Sequence, residues 1–138
     1  MLHVTPFLLF DGNCAEAMTF YQGCFGGALT LTRLGDTPMK QAYPPEQHHK
    51  IIYARLTSGA VDISATDWLH PTRRPADGNT TAIYVQDNEP ARLKAVFDKL
   101  SQGADTENFV ALMDMPFGQY GRLTDRYGKE WFFRGEKG

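Results

Sequence analysis

Neither sign of charge prevails in this chain. Fourteen Lys and Arg stand against 16 Asp and Glu, scattered through 138 residues, for a formal charge of −2. Without a basic stripe, neither nucleic acid nor an anionic membrane surface is an expected partner. Long apolar runs are missing too, and the longest fall well short of the roughly 20 residues that cross a bilayer. The amino-terminal MLHVTPFLLFDGN has no basic segment ahead of its apolar one, so no signal peptide is expected. Cysteine is scarce: Cys14 and Cys24 share one predicted helix, which separates them by about 15 Å, beyond the span of a disulfide. Thiols without an export signal point to the cytoplasm. No G-x-G-x-x-G turn follows a strand, as a Rossmann-type S-adenosylmethionine site would want. What remains, 42% hydrophobic and 12% aromatic residues, suffices for a folded core rather than a disordered chain.

The pattern reads as strand, helix and three strands, and then repeats. A strand over 3–10 leads to Asn13, a candidate N-cap with Glu16 completing a capping box. The helix runs to about Phe25, where Gly26-Gly27 stop it; Met18, Tyr21 and Phe25 mark its buried face. Strands follow over 28–34 and 51–65, the latter a hairpin turning near Ser58-Gly59. The second round has a strand over 79–87, a helix with Asn88 near its cap and Pro90 in its first turn, and strands over 109–114, 120–125 and 129–134. Leu93, Val96 and Leu100 lie 75 residues after Met18, Tyr21 and Phe25, which suggests an internal repeat. One domain of 138 residues is therefore expected, with modules at 1–67 and 79–138 and a linker at 68–78.

Alternation separates the strand faces. Ile52, Ala54 and Leu56 oppose Tyr53, Arg55 and Thr57; Val61, Ile63 and Ala65 oppose Asp62, Ser64 and Thr66. Thr81, Ile83 and Val85 oppose Thr80, Ala82, Tyr84 and Gln86, while Trp131 and Phe133 oppose Glu130, Phe132 and Arg134. The first set suits a helix; the second suits either a ligand or plain water.

Three stretches carry a family resemblance: TPFLLFDGNCAEAMTFYQGCFGG (5–27), IIYARLTSGAVDISATD (51–67) and YGRLTDRYGKEW (120–131). Together they resemble the vicinal oxygen chelate superfamily of glyoxalase I, bleomycin and fosfomycin resistance proteins and extradiol dioxygenases. More closely they resemble its PhnB-like branch, often labelled demethylubiquinone-methyltransferase-like. The resemblance implies an α+β fold of two βαβββ modules forming a curved mixed sheet around a cavity, in a homodimer. It also implies where metal ligands would stand in metal-dependent members. Those positions fall on Pro6, Arg55, Thr80 and Phe132, so no divalent metal or other cofactor is expected. Nothing in the residues supports methyl transfer.

The expected partner is therefore an unidentified small molecule, anionic or carbonyl-bearing, because a guanidinium forks onto carboxylates and phosphates. The candidate binding residues are Tyr53, Ser64, Thr80, Tyr84, Phe117, Tyr120 and Phe132. If a reaction occurs, Glu130 is the candidate general base and Arg55 the stabiliser of oxyanion charge. Two other readings stand beside this one: a non-catalytic protein that sequesters a drug or toxin, and a metal-dependent lyase or dioxygenase with a relocated site. Glu46, His48 and His49 crowd one loop and are the alternative metal candidates, although neighbouring His side chains seldom converge on one ion. Cys14 falls in a first helical turn, where the helix dipole can acidify a thiol; with no His partner in sequence, it reads as a small filler.

Overall fold

Apolar residues at every second position turn one face of each strand toward a helix, and the chain does this twice. The computed structural model describes residues 2–70, 72–76 and 78–136 and divides into two units, Met1–Ala76 and Asp77–Gly138. The first unit holds β1 (Phe7–Phe10), α1 (Cys14–Phe25), β2 (Ala28–Arg33), β3 (Ile51–Ser58) and β4 (Val61–Asp67). The second holds β5 (Ile83–Gln86), α2 (Pro90–Leu100), β6 (Phe109–Met115), β7 (Gly118–Thr124) and β8 (Glu130–Glu136). Each unit has one four-stranded sheet, ordered β1-β4-β3-β2 and β5-β8-β7-β6. The first strand of each lies parallel to the last, and the remaining pairs are antiparallel. β1 and β2 thus run in the same direction, and such strands need a crossover, which α1 supplies. Among the described residues no helix is long and apolar enough to cross a membrane.

In the first unit, α1 buries Cys14, Ala17, Met18, Tyr21 and Cys24, and the sheet contributes Ala54, Leu56, Ile63 and Ala65. The predicted capping box does not form: Asn13 stands at the cap position without a side-chain cap bond, and Glu16 is exposed. The tertiary fold supplies a stronger acceptor. Asp67 ends β4 beside Phe10, and its Oδ1 accepts the Cys14 N–H at 2.9 Å while Oδ2 accepts the Ile51 N–H at 2.9 Å. A carboxylate at a helix N-terminus also meets the positive end of the helix dipole. Gly27 adopts φ +91, and a Cβ there would lie 2.2 Å from the Thr57 carbonyl oxygen, so the chain passes into β2 where only glycine fits. The loop from Leu34 to Gln47 forms three short 3₁₀ turns.

In the second unit Trp131, Phe133 and Leu123 are fully buried. Phe97 of α2 packs edge-on against Phe133, with ring centroids 4.9 Å apart, and tilted against Phe109 at 5.6 Å. The buried face of α2 is Leu93, Phe97 and Leu100, with Val96 only half-buried. The 75-residue offset therefore placed the helix correctly and one of its core residues a position early. β5 is shorter than the predicted 79–87. Its partner β8 starts at Glu130, immediately after a turn, and the ladder begins at Ile83–Trp131, so residues 79–82 have little strand to pair with.

That turn explains the D-x-x-G-x-x-W motif. Asp125 Oδ1 accepts the N–H groups of Tyr127 and Lys129 at 2.8 and 3.1 Å, and Oδ2 accepts the Trp131 indole N–H at 2.7 Å. Gly128, at φ +84, closes the turn by donating its N–H to the Asp125 carbonyl at 2.9 Å. One carboxylate thereby fixes both the turn and the largest core side chain.

Candidate functional site

With Leu123, Trp131 and Phe133 on the buried side, the residues between them share the opposite face of the second sheet. The register sets them in rows: Thr124 beside Glu130; Val110, Arg122, Phe132 and Tyr84; and Met113, Tyr120, Arg134 and Gln86. A cavity of about 900 Å³ opens here, every lining residue lying between Gly78 and Phe132, with Thr80, Tyr84, Asn108, Arg122, Glu130 and Phe132 among them. That volume suits a small molecule.

Glu130 is held from two sides. Asn108 Nδ2 donates to its Oε2 at 3.0 Å, and Thr124 Oγ1 donates to its Oε1 at 2.8 Å. Asn108 Nδ2 also lies 2.7 Å from Thr124 Oγ1, so the three side chains form a closed set and fix the carboxylate at the cavity wall. Two arginines on the same face are provided for differently. Among the described residues, the buried side-chain nitrogens without a hydrogen-bond partner are Arg122 Nε and Arg134 Nε. A buried donor without an acceptor costs about 1–3 kcal/mol, and more when charged. Arg134 does place its guanidinium 4.3 Å from the Phe117 ring centroid. The aromatic rings continue from Phe117 to Tyr120 (6.5 Å) and from Tyr120 to Phe132 (6.4 Å), each pair edge-on.

Of the residues expected at a site, Thr80, Tyr84, Glu130 and Phe132 line this cavity; Phe117 and Tyr120 lie outside its lining, in the aromatic row that ends on Phe132. Tyr53, Arg55 and Ser64 belong to the first unit. Arg55 is exposed and forks onto Asp62, Nε to Oδ1 at 3.1 Å and Nη2 to Oδ2 at 3.0 Å. That hydrogen-bonded pairing, reinforced by charge attraction, raises the Arg55 pKa and lowers that of Asp62. His3 Nε2 stands 3.4 Å from the same carboxylate. Ser64 is buried beside Arg55 in the ladder and donates its backbone N–H to the Pro6 carbonyl; Tyr53 is exposed. The sequence reading missed Arg122 and Asn108. Arg122 shares the parity of Tyr120 and was legible on that ground; Asn108 precedes β6 and carries no periodic signal.

At the four positions where the superfamily's metal ligands would stand, Pro6 and Phe132 have no donor, Thr80 has only a hydroxyl, and Arg55 is a cation already engaged. These residues do not fit a divalent metal. Among the described residues no three His, Cys, Asp or Glu side chains cluster in a way that would hold one. His48 is tied to its own loop, with Nε2 2.9 Å from the Lys40 carbonyl and 3.1 Å from that of Tyr43.

Cys14 is fully buried. Burial, and secondarily the Asp67 carboxylate, push its thiol up from 9.0 to about 12. The helix dipole does not win here, and the thiolate that reacts with electrophiles is scarce at neutral pH. Native protein at pH 8 is expected to keep Cys14 unmodified by iodoacetamide; fast native-state labelling in a mass spectrum would contradict this. Because the folded-state value is raised, the stabilisation is complete below about pH 9 and is lost as pH rises toward about 12.

Two βαβββ units with mixed four-stranded sheets define the glyoxalase/bleomycin resistance/dioxygenase fold. The solved "glyoxylase/bleomycin resistance protein/dioxygenase domain" of Frankia sp. EAN1pec shares it, with a TM-score of 0.61 over 99% of each chain at 14% identity. The chain belongs to the 3-demethylubiquinone-9 3-methyltransferase family, whose members' pattern matches residues 2–133. It is similar to protein PA1353 from Pseudomonas aeruginosa, whose crystal structure superposes with a TM-score of 0.84 at 28% identity over 100% of both chains. It is also similar to protein YjdN of Escherichia coli (strain K12), 25% identical over 93% of this chain and 91% of that protein.

Proposed function

We propose that the chain binds a small anionic molecule in the cavity of its second unit, with the acidic group on Arg122 and a hydrogen-bond donor of the ligand on Glu130. The observation that carries this reading is Arg122, which lines the cavity and whose buried Nε has no protein acceptor. A guanidinium in that state gains most from a carboxylate or phosphate, because the bond is charge-assisted and meets a donor already stripped of water. Glu130 stands one row away, about 7 Å along the strand, with each oxygen accepting one bond from the protein and able to accept another. If the bound molecule reacts, Glu130 is the group placed to take its proton.

Arg122 takes over the anchoring role that the sequence suggested for Arg55, whose guanidinium Asp62 already occupies. Methyl transfer is not adopted from the family's description, because the chain has no G-x-G-x-x-G turn after a strand. The test is a thermal-shift screen of monocarboxylates, α-keto acids and phosphate monoesters against neutral amides and alcohols of matching shape. Hits are expected among the anions, with binding weakened roughly 10- to 100-fold in Arg122→Gln and each hit then followed for turnover. Hits confined to the neutral compounds, or unchanged in Arg122→Gln, sink the reading.

A further inference from the structure

Arg134 is half-buried, its Nε is the second buried donor without a protein acceptor, and it lies on the same face as Arg122. β7 and β8 pair Tyr120 with Arg134 and Arg122 with Phe132, so the two arginines are diagonal neighbours, about 7–8 Å apart at Cα. Between and beside them runs the aromatic row Phe132, Tyr120, Phe117. At one end Phe132 lines the cavity next to Arg122. At the other Phe117 is partly exposed and carries the Arg134 guanidinium over its ring. That contact leaves the Nε–H without an acceptor. Val110 and Met113, the β6 neighbours in these rows, add apolar surface and no countercharge. The one carboxylate in the three rows, Glu130, is occupied by Asn108 and Thr124 and sits at the far end from Arg134.

From this arrangement we infer that the ligand of this site is an elongated aromatic dianion. One acidic group docks on Arg122, a planar body lies along Phe132 and Tyr120, and a second acidic group reaches Arg134. The inference rests on the proposed anion site at Arg122 and adds to it a second subsite and a ligand class. Edge and face contacts with aromatic rings favour a planar body over an aliphatic chain, and two guanidiniums favour two planar oxyanions over one.

Terephthalate and benzoate are the probes, compared by isothermal titration on the full chain. Terephthalate is expected to bind at least about tenfold tighter than benzoate, more than two identical ends give statistically. The advantage should disappear in Arg134→Gln and largely persist in Arg134→Lys, a pair of variants that separates charge from packing. Arg122→Gln should weaken both probes. If benzoate binds through Arg122 but terephthalate binds no tighter, or keeps its advantage in Arg134→Gln, the second subsite is overturned and the anion site stands. If neither probe binds while the screen yields an Arg122-dependent aliphatic anion, the aromatic dianion is again refuted. If no anion depends on Arg122, both readings fall together.

Discussion

Replacing Asp125 with alanine is expected to cost about 4 kcal/mol of stability, because three donors lose one charged acceptor at once. The Trp131 indole N–H and the Tyr127 and Lys129 amides all point at this carboxylate, which is itself 3% exposed. Water has no ready path to the indole nitrogen of a fully buried tryptophan, so solvent does not replace the lost bond. Asp125→Asn keeps one acceptor oxygen but turns an amide N–H₂ toward other donors, and a loss of about half that size is expected. Urea unfolding reads both directly, through the midpoint at unchanged slope. A loss below about 1 kcal/mol in Asp125→Ala would show that the motif does not depend on its carboxylate. Because Glu130 follows this turn, the same substitution should also weaken binding of any anion found at Arg122.

Asp67→Ala is the second large effect, about 3 kcal/mol, and it acts in the first unit. The carboxylate joins the start of α1 to the start of β3 through the Cys14 and Ile51 amides, so its loss uncaps a helix and leaves two amides without acceptors. It carries a chemical signature as well. The Asp67 charge is one of the two causes that raise the Cys14 thiol, so its removal should lower that pKa and speed native-state alkylation above pH 9. An alkylation rate that stays at the wild-type value, in protein shown to be folded, would refute the assigned contact. Asp67 and Asp125 thus do similar work at unrelated places, one at a helix start and one in a hairpin turn.

Much of the architecture was written locally. The α1 boundaries, the hairpins and the aromatic side of each sheet follow from spacing, since a buried side chain must recur every two residues in a strand or every three to four in a helix. The misreadings share a cause. Asn13 and Glu16 satisfied a local capping rule but lost to Asp67, a residue 53 positions from Cys14 that β4 carries to the helix start. The strand at 79–82 looked extended but found no partner of sufficient length in β8. Val96 fitted the offset, yet Phe97 is the side chain that reaches Phe133.

The arginines separate the two kinds of information most clearly. Alternation alone put Arg55 and Arg134 on the polar faces of their strands and does the same for Arg122, because side-chain parity is a property of the strand itself. Which of them keeps an unanswered charge is a matter of register. Arg55 pairs with Ser64, which places Asp62 on its diagonal and within reach of its guanidinium. Arg122 pairs with Phe132 and Val110, and Arg134 with Tyr120 and Gln86, neighbours that supply no carboxylate. The sequence by itself determined the fold class and which side chains share the polar face of each strand. Only the tertiary structure decided which cation on that face still lacks an acceptor, because cross-strand neighbours are chosen by pairing between distant segments rather than by any spacing along the chain.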